Sequence, residues 1–262
     1  MYLGIDSGST STKLVVVDGG GRMVAHGVAE TGTDCNETAS RLWDRLCATS
    51  RLSRGALRAA VATGYGRGRI AMAERRVTEI TCHAVGVHHL VAAARSVIDM
   101  GGQDSKVIRL DEAGRVEDFT MNDKCAAGTG RFLEVIARRF NLTVDQLGDL
   151  AVGDAAPIAI NATCTVFAET EVVGLLAEGH PRESILAGIH LALARRVAAM
   201  FDLVGARGPA AFSGGVALNP AMVRALRGCM AERVDVVPHP QLTAALGAVD
   251  GPVTVNRAAS AS

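Results

Sequence analysis

The residues best suited to phosphate chemistry stand in three glycine-containing turns, each of which directly follows an apolar run. The first turn opens with Asp6, a carboxylate that can hold Mg²⁺ directly or through water. It continues with backbone N–H groups and hydroxyls from Gly8, Ser9, Thr10, Ser11 and Thr12. Because glycine lets a backbone come close to phosphate oxygens, this turn predicts a phosphate-binding loop. Lys13 either supplies a positive charge to a phosphate or is a solvated strand residue.

Two further turns carry the same chemistry at later positions in the chain. The residues concerned are Gly101, Gly102, Gln103 and Asp104 in the second turn, and Gly214 and Gly215 in the third. Gln103 or Asp104 can orient the water that attacks a γ-phosphate, so these two side chains and Asp6 are the candidate catalytic residues. The third turn fits a loop close to the α-phosphate or adenosine. One such turn alone is typical of a tight hairpin, whereas three together favour a nucleotide site.

Two other phosphate-binding motifs are excluded by the sequence around these turns. A Walker P-loop needs the pattern G-x-x-x-x-G-K-[ST], which does not occur in the chain. A Rossmann fingerprint needs a glycine turn that leads into a helix. Here the first and second glycine turns each lead into a strand.

An internal repeat organises the first two turns. A shift of 93 positions places Ile5, Asp6, Gly8, Lys13 and Asp18 on Ile98, Asp99, Gly101, Lys106 and Asp111. Each copy reads as a strand, a glycine turn and a second strand, which predicts a β-hairpin. The repeat predicts two related α/β domains, one of residues 1–96 with a C-terminal helix in 243–262, and one of residues 97–242. Helical patterns fall at Arg131–Phe140, Val166–Leu176 and Ile185–Val204.

The three turns together resemble a known set of nucleotide loops. Asp6-x-Gly8-Ser9-Thr10, Asp99-x-Gly101-Gly102 and Ser213-Gly214-Gly215 are similar to the loops of the actin, sugar-kinase and heat-shock-chaperone superfamily. The resemblance implies an α/β fold with two related actin-like (ribonuclease H-like) domains and the nucleotide in the cleft between them.

Composition narrows the classes of partner. Lys+Arg and Asp+Glu are balanced at 27 each, which argues against a dedicated nucleic-acid or membrane-surface binder. Aromatic residues make up only 3%, too few for a platform that stacks single-stranded bases. No apolar run reaches the roughly 18 residues of a membrane span, and the N-terminus lacks the pattern of a secretory signal. We therefore expect a cytoplasmic protein without a disulfide framework, since its six cysteines are widely spaced.

Two of the cysteines stand in settings that suggest more than packing. Cys125 and Cys164 have small and polar flanks, and each precedes a helical pattern whose N-terminus can stabilise a thiolate or an anionic cluster. Two thiolates do not complete a four-cysteine iron–sulfur cluster, but a two-fold dimer would supply four. Zinc is a less well supported alternative because the chain has no CxxC pair. Packing is the better interpretation of the other four cysteines.

These flanks also carry a closer resemblance, which covers about residues 2–249. The stretches Ala62–Arg67, Ile98–Asp104, Asn122–Glu134 and Cys164–Glu169 resemble the ATPase activators of 2-hydroxyacyl-CoA dehydratases and the ATPase subunits of benzoyl-CoA reductases. The resemblance implies a homodimer with one bridging 4Fe-4S cluster, to which each chain gives Cys125 and Cys164. It also implies that ATP or ADP, with Mg²⁺, is held by Ser9–Lys13, Gly101–Asp104, Gly128, Gly214, Gly215 and Gln241.

The same resemblance implies an anaerobic function. A reduced ferredoxin or flavodoxin would charge the cluster, and ATP hydrolysis would drive a low-potential electron to an iron–sulfur dehydratase or reductase. One alternative is a small-molecule kinase of the same superfamily, with Asp104 as its base, although 262 residues leave little room for a substrate subdomain. A nucleotide-regulated assembly or chaperone module is another. Fold analogy cannot separate the three, whereas the two cysteine motifs favour the activator. The sequence leaves open the partner enzyme and the choice between homodimer and heterodimer.

Overall fold

The chain divides into two compact units, each built on one five-stranded sheet. The structure, a computed structural model, describes residues 1–123, 125–161 and 164–250. The first unit comprises Met1–Ala93, Asp111–Val116 and the segment from Gln241 onward, and the second comprises Ala94–Leu110 and Glu117–Pro240. The chain therefore passes between units at residues 93/94 and 240/241, where the repeat predicted 96/97 and 242/243, and also at 110/111 and 116/117. The predicted place of residues 251–262 lies outside the described residues.

The first unit has a mixed sheet with strand order β3-β2-β1-β4-β5. Its strands are β1 (Tyr2–Ser7), β2 (Ser11–Val17), β3 (Met23–Glu30), β4 (Ala59–Thr63) and β5 (Arg75–Arg76). β1 pairs antiparallel with β2 and parallel with β4. Its helices are α1 (Cys35–Thr49), α2 (Glu79–Leu90) and a last helix, α8, of which residues 243–250 are described.

The second unit repeats this arrangement with strand order β10-β9-β6-β7-β8. Its strands are β6 (Ser96–Met100), β7 (Ser105–Leu110), β8 (Val116–Asn122), β9 (Ala210–Ser213) and β10 (Val234–Val236). β6 pairs antiparallel with β7 and parallel with β9, as β1 does with β2 and β4. The helices of this unit are α3 (Gly130–Arg139), α4 (Val144–Ala151), α5 (Thr165–Ala177), α6 (Arg182–Leu203) and α7 (Pro220–Cys229). The predicted α/β fold is confirmed.

The two hairpins end in the same kind of turn. Asp18 accepts hydrogen bonds from the N–H groups of Gly20 and Arg22, and Asp111 accepts them from Ala113 and Arg115. Such bonds between a side chain and the following backbone fix an Asx turn. The repeat therefore extends from the strands into the turns that follow them.

The turn at Asp111–Val116 departs from the predicted division, because it belongs to the first unit although β7 belongs to the second. The cause is close packing on α2. A side-chain carbon added at Gly114 would lie 2.2 Å from Cγ of His88, so the backbone of this turn rests directly on the histidine ring.

The helix α6 forms the centre of the second unit. By length and composition it could span a membrane, but half of its most apolar stretch is buried within the protein. Ile185, Ile189 and Leu193 are buried in the same core as Phe212 of β9 and Leu133 of α3. A buried core helix accounts for the apolar composition of α6.

Candidate functional site

The first glycine turn connects β1 to β2 and is held shut by hydrogen bonds. The N–H of Gly8 donates to the carbonyl of Ser11 at 3.1 Å. Thr31 of the neighbouring segment donates its hydroxyl to the carbonyl of Gly8 at 2.8 Å and lies 3.0 Å from the hydroxyl of Thr12. Ser9 is exposed at the tip of the turn. The predicted residues Gly8 to Thr12 thus form one fixed turn with a solvent-facing tip.

Asp6 and Lys13 lie at the base of this turn. They are partners in the β1–β2 register, and Nζ of Lys13 donates to Oδ2 of Asp6 at 3.0 Å. The side chains of Asp6 and Lys13 are only 10% and 15% exposed. Lys13 therefore lies in a largely buried ion pair, which excludes the alternative of a solvated strand residue.

A loop that the sequence did not assign to the site supports the same turn. It follows β4, and its Gly66 donates its N–H to the carbonyl of Ser7 at 2.8 Å. Gly64 has a φ of 85°, and a carbon added there would lie 2.4 Å from Oδ1 of Asp6. Only glycine combines this backbone conformation with so close an approach. The hydroxyl of Ser7 is buried and has no hydrogen-bond partner in the part of the chain that is described.

The second glycine turn connects β6 to β7 and is fixed to the start of α3. Gly101 closes the turn by donating its N–H to the carbonyl of Asp104 at 2.9 Å. The carbonyls of Gly101 and Gly102 accept the N–H groups of Gly130 and Arg131 at 2.9 and 2.7 Å. The first N–H groups of a helix have no partner within it, so these bonds cap α3 with the turn itself. Gln103 remains exposed.

Lys106 forms ion pairs with two carboxylates at the second turn, those of Asp99 and Asp104. Its Nζ lies 2.7 Å from Oδ2 of Asp104 and 3.4 Å from Oδ2 of Asp99, and its side chain is 2% exposed. Ser213 donates its hydroxyl to Oδ1 of Asp99 at 2.9 Å. Two carboxylates face one buried ammonium, so the region keeps a negative charge that suits a divalent cation. Lys106, like Lys13, is not a solvated strand residue.

The third glycine turn lies against the second. Gly214 has a φ of 89°, and a carbon added there would lie 2.3 Å from the carbonyl of Met100. Its N–H donates to the carbonyl of Pro240 at 2.8 Å, and Gly215 begins a short 3₁₀ helix. Within the second unit the structure therefore brings together the second and third turns. Gln241, which follows Pro240, is half-buried in the C-terminal segment of the first unit.

The loop of Cys125 joins β8 to α3. Asn122 organises it by donating its amide to the carbonyls of Cys125 and Ala127 at 3.0 and 2.9 Å. The predicted residue Gly128 follows, with its carbonyl accepting the hydroxyl of Ser105. Cys125 is an exposed free thiol in this loop, four residues before Thr129, which is the N-cap of α3.

Cys164 is itself the N-cap residue of α5 and is a half-buried free thiol. Directly after it, Val166 and Phe167 are 65% and 70% exposed, which leaves an apolar surface beside the thiol. Cys125 and Cys164 are an exposed and a half-buried thiol in the same unit, and two thiolates are half of the four that a 4Fe-4S cluster needs. Among the described residues, no three His, Cys, Asp or Glu side chains are placed to hold a metal ion.

The remaining four cysteines are buried or half-buried. Cys35 and Cys82 are buried, and Cys47 and Cys229 are half-buried. Burial raises the pKa of the Cys82 thiol to about 12, and burial also raises the pKa of Cys229. These two thiols are therefore protonated at neutral pH, which suits packing rather than metal binding.

Comparison with known proteins identifies this arrangement. A family model described as the BadF/BadG/BcrA/BcrD ATPase family matches residues 3–249. The chain belongs to this ATPase family. The ATPase is 45% identical to the activator of lactoyl-CoA dehydratase from Anaerotignum propionicum, over 95% of this chain and 96% of the relative. It is 38% identical to the (R)-2-hydroxyglutaryl-CoA dehydratase activating ATPase from Acidaminococcus fermentans, over 94% of each chain.

A solved structure supports the same assignment. The activator of the 2-hydroxyisocaproyl-CoA dehydratase from Clostridium difficile, with bound ADPNP, superposes on this ATPase with a TM-score of 0.93 and 39% identity. The match covers 99% of this chain and 96% of the other. The predicted family, ATPase activity and actin-like fold are confirmed.

Proposed function

We propose that this ATPase uses ATP hydrolysis to deliver a low-potential electron to a partner iron–sulfur enzyme in the anaerobic cytoplasm. The partner class is a 2-hydroxyacyl-CoA dehydratase, a benzoyl-CoA reductase or a related double-cluster enzyme. The observation that carries the proposal is the placement of Cys125 in a loop that runs into α3, the helix capped by the second glycine turn. The names of the relatives, which are dehydratase activators, support the choice of partner.

The glycine turns would bind the phosphates. Their hydroxyls, and the N–H groups that are not used to close the turns, would donate to phosphate oxygens, and glycine allows the close approach. Asp6 would hold Mg²⁺, while Lys13 keeps its carboxylate in place through the 3.0 Å ion pair. Gln103, which is exposed at the tip of the second turn, would orient the water that attacks the γ-phosphate, and Asp104 would accept its proton.

The second unit provides a short route from phosphate to thiol. Gly101 and Gly102 bond directly to the first two residues of α3, and Ser105 bonds to Gly128 in the cysteine loop. A change in the turn on ATP hydrolysis would therefore shift the start of α3 and, with it, the loop that carries Cys125. ATP can favour the electron-donating state only through contacts that it makes better in that state, and these turns supply them.

Cys125 and Cys164 would hold the cluster, with the same two residues of a second copy completing four ligands. A 4Fe-4S cluster bound there would accept one electron from a ferredoxin or flavodoxin and release it to the partner enzyme. The exposed pair Val166 and Phe167 supports a homodimer, because association would remove this apolar surface from water beside Cys164.

The experiment that tests the proposal is an activation assay under anaerobic conditions. The reduced ATPase is mixed with lactoyl-CoA dehydratase, and dehydration of lactoyl-CoA is followed with ATP, with ADPNP and without nucleotide. We expect activity only with ATP. ATP-dependent phosphorylation of a sugar by protein that contains no iron would instead establish the kinase alternative and refute the proposal.

A further inference from the structure

The first unit carries a concentrated positive surface beside the first glycine turn. We call the arginine surface the group formed by Tyr65, Arg67, Arg69, Arg75 and Arg76. It includes the loop after β4, the 3₁₀ helix Arg67–Arg69 and the edge strand β5. Segment 67–76 contains four arginines and one carboxylate, Glu74, in a chain whose net charge is zero. Such a local excess of one sign attracts ligands of opposite charge.

Carboxylates of the described residues do not neutralise the charges of this surface. In the described part of the protein, none of its four arginines forms an ion pair with a carboxylate. Arginines elsewhere in the same unit do form them, such as Arg41 with Glu37 at 3.8 Å and Arg22 with Asp18 at 3.4 Å.

Two of the guanidinium groups are already oriented by the backbone. Arg67 donates from Nη1 to the carbonyl of Gly64 at 2.9 Å, and Arg76 donates from Nε to the carbonyl of Arg67 at 3.2 Å. A guanidinium group that is already fixed loses less conformational entropy on binding than a mobile one. The paired N–H groups of a guanidinium also match the two oxygens of a carboxylate. Arg69 and Arg75, which lie in the same segment, are exposed.

Tyr65 completes a composition that is typical of protein interfaces. Its side chain is 86% exposed at the tip of the loop after β4. Tyrosine and arginine are enriched among the residues that contribute most to binding between proteins. A large exposed aromatic ring among unpaired arginines therefore favours a protein surface rich in Asp and Glu as the ligand.

The loop after β4, which carries Tyr65, joins the arginine surface to the first glycine turn. Gly66 bonds to the carbonyl of Ser7 at 2.8 Å, and Gly64 lies against the carboxylate of Asp6. A displacement of Asp6 on binding Mg²⁺-ATP would therefore move the residues on either side of Tyr65. The surface is placed to respond to the nucleotide.

We infer that the arginine surface binds an acidic face of the enzyme that the ATPase activates, and that its affinity depends on the bound nucleotide. The inference rests on the proposed function for the identity of this partner, whereas the acidic chemistry of the ligand follows from the surface itself. Guanidinium–carboxylate pairs across an interface give specificity and speed association, and added salt weakens them.

The test uses the double variant Arg69→Ala/Arg75→Ala, because neither side chain is placed in the nucleotide machinery. Arg41→Ala is the matched control, being an exposed arginine of the same unit. Arg69→Lys/Arg75→Lys keeps the charge. Binding of fluorescent poly-L-glutamate is measured in ATP and in ADP, at low and high salt, and activation of lactoyl-CoA dehydratase is measured in parallel. ATP hydrolysis without partner and the thermal midpoint of unfolding report on folding.

We expect poly-L-glutamate to bind about tenfold more weakly to the alanine double variant than to the wild type, with activation reduced to a similar degree. The lysine variant keeps most of the binding, and the Arg41→Ala control and ATP hydrolysis are unchanged. Unaltered binding of poly-L-glutamate to the alanine variant would overturn the inference. Tighter binding of an oligothymidylate than of poly-L-glutamate would also overturn it. Aggregation as the only defect of the alanine variant would do so too, because the arginines would then merely protect the β5 edge.

Failure of the proposed function gives a different pattern. If the wild type binds poly-L-glutamate through Arg69 and Arg75 but activates no dehydratase, the proposed function is wrong. The inference that the arginine surface binds an acidic ligand is then still supported. If the wild type activates the dehydratase and both double variants do so equally well, the proposed function stands and the docking surface is wrong.

Discussion

Asp6 and Lys13 face each other across β1 and β2 and form an ion pair of 3.0 Å. Asp99 and Lys106 occupy the same places across β6 and β7, at 3.4 Å. The second pair differs in one respect, because Lys106 also bonds to Asp104 at 2.7 Å, where the first hairpin has Ser11. The duplication thus places one buried cation under each phosphate turn and gives the second turn an additional carboxylate.

Replacing these lysines separates their contributions to stability. Lys106→Met removes the ammonium that bonds to both Asp99 and Asp104, and removal of one partner from a buried pair costs about 3–5 kcal/mol. Lys13→Met leaves only the carboxylate of Asp6, whose side chain is 10% exposed, and we expect a loss of about 1.5 kcal/mol. Urea unfolding measures both losses. An equal loss in the two variants would contradict the difference in charge between the hairpins.

Gly214 is predicted to be irreplaceable for a steric reason. Gly214→Ala forces a carbon to within 2.3 Å of the Met100 carbonyl at a φ of 89°. Gly179→Ala is the control, since Gly179 has a φ of 82° and nothing within 4 Å. The control should lose only the cost of the backbone conformation, about 1–2 kcal/mol, and Gly214→Ala should lose more. Calorimetry of ATP binding should show weaker affinity in Gly214→Ala alone; equal affinities would remove the third turn from the site.

His190 predicts a loss of stability in mild acid. Its Nδ1 donates to the carbonyl of Leu186 at 2.8 Å, and Nε2 accepts from the amide of Asn219 at 3.2 Å, so the buried ring is satisfied as the neutral form. Burial lowers the pKa of His190 from its usual 6.5, against the smaller opposing effect of these hydrogen bonds. Between the two pKa values of His190, the unfolded chain therefore binds a proton at this side chain and the native state does not.

This contribution is present in full above about pH 6.5 and is lost as the pH falls from there towards the lower native-state pKa. The slope is at most about 1.4 kcal/mol per pH unit for one proton. Thermal unfolding between pH 8 and 5.5 should show a flatter profile for His190→Gln than for wild type. His180→Gln serves as the control, because that side chain is 42% exposed. Parallel profiles for wild type and His190→Gln would refute the assignment.

The hairpins, the glycine turns and the helices α3, α5 and α6 could be predicted from local sequence. Each depends on an apolar period and on turn residues that lie within a few positions of one another. The predicted stretch Val166–Leu176 falls within α5 for this reason. The two cysteines were singled out by their polar flanks, which also follow from local sequence.

Other elements had no local signal. The helix α2 buries Cys82, His83, Ala84, Gly86 and Val87, which occupy more than one face, so its apolar period is weak. The strand β8 has no buried residue, and its structure depends on pairing at the sheet edge. The bond between Ser213 and Asp99 joins residues 114 positions apart and exists only because β6 and β9 pair. Site residues that act through such long-range contacts can be predicted only when the fold is known.

Alkylation of the thiols tests the assignment of the cysteines. In protein stripped of iron, iodoacetamide should modify the exposed Cys125 readily and the half-buried Cys164 more slowly. Cys82 should remain unmodified, because it is buried and its pKa is about 12, which leaves roughly one thiol in 10⁴ ionised at pH 8. Mass spectrometry of peptides gives the order of modification. Rapid labelling of Cys82 in folded protein would contradict the structure at this site.

The iron content of anaerobically purified variants shows directly whether Cys125 and Cys164 hold a shared cluster. We expect about four iron atoms per dimer in the wild type and in the control Cys47→Ala, as four cysteine ligands require. Cys125→Ala and Cys164→Ala should each contain almost no iron, while they bind ATP as the wild type does. Full iron content in both of these variants would show that the two cysteines do not hold the cluster.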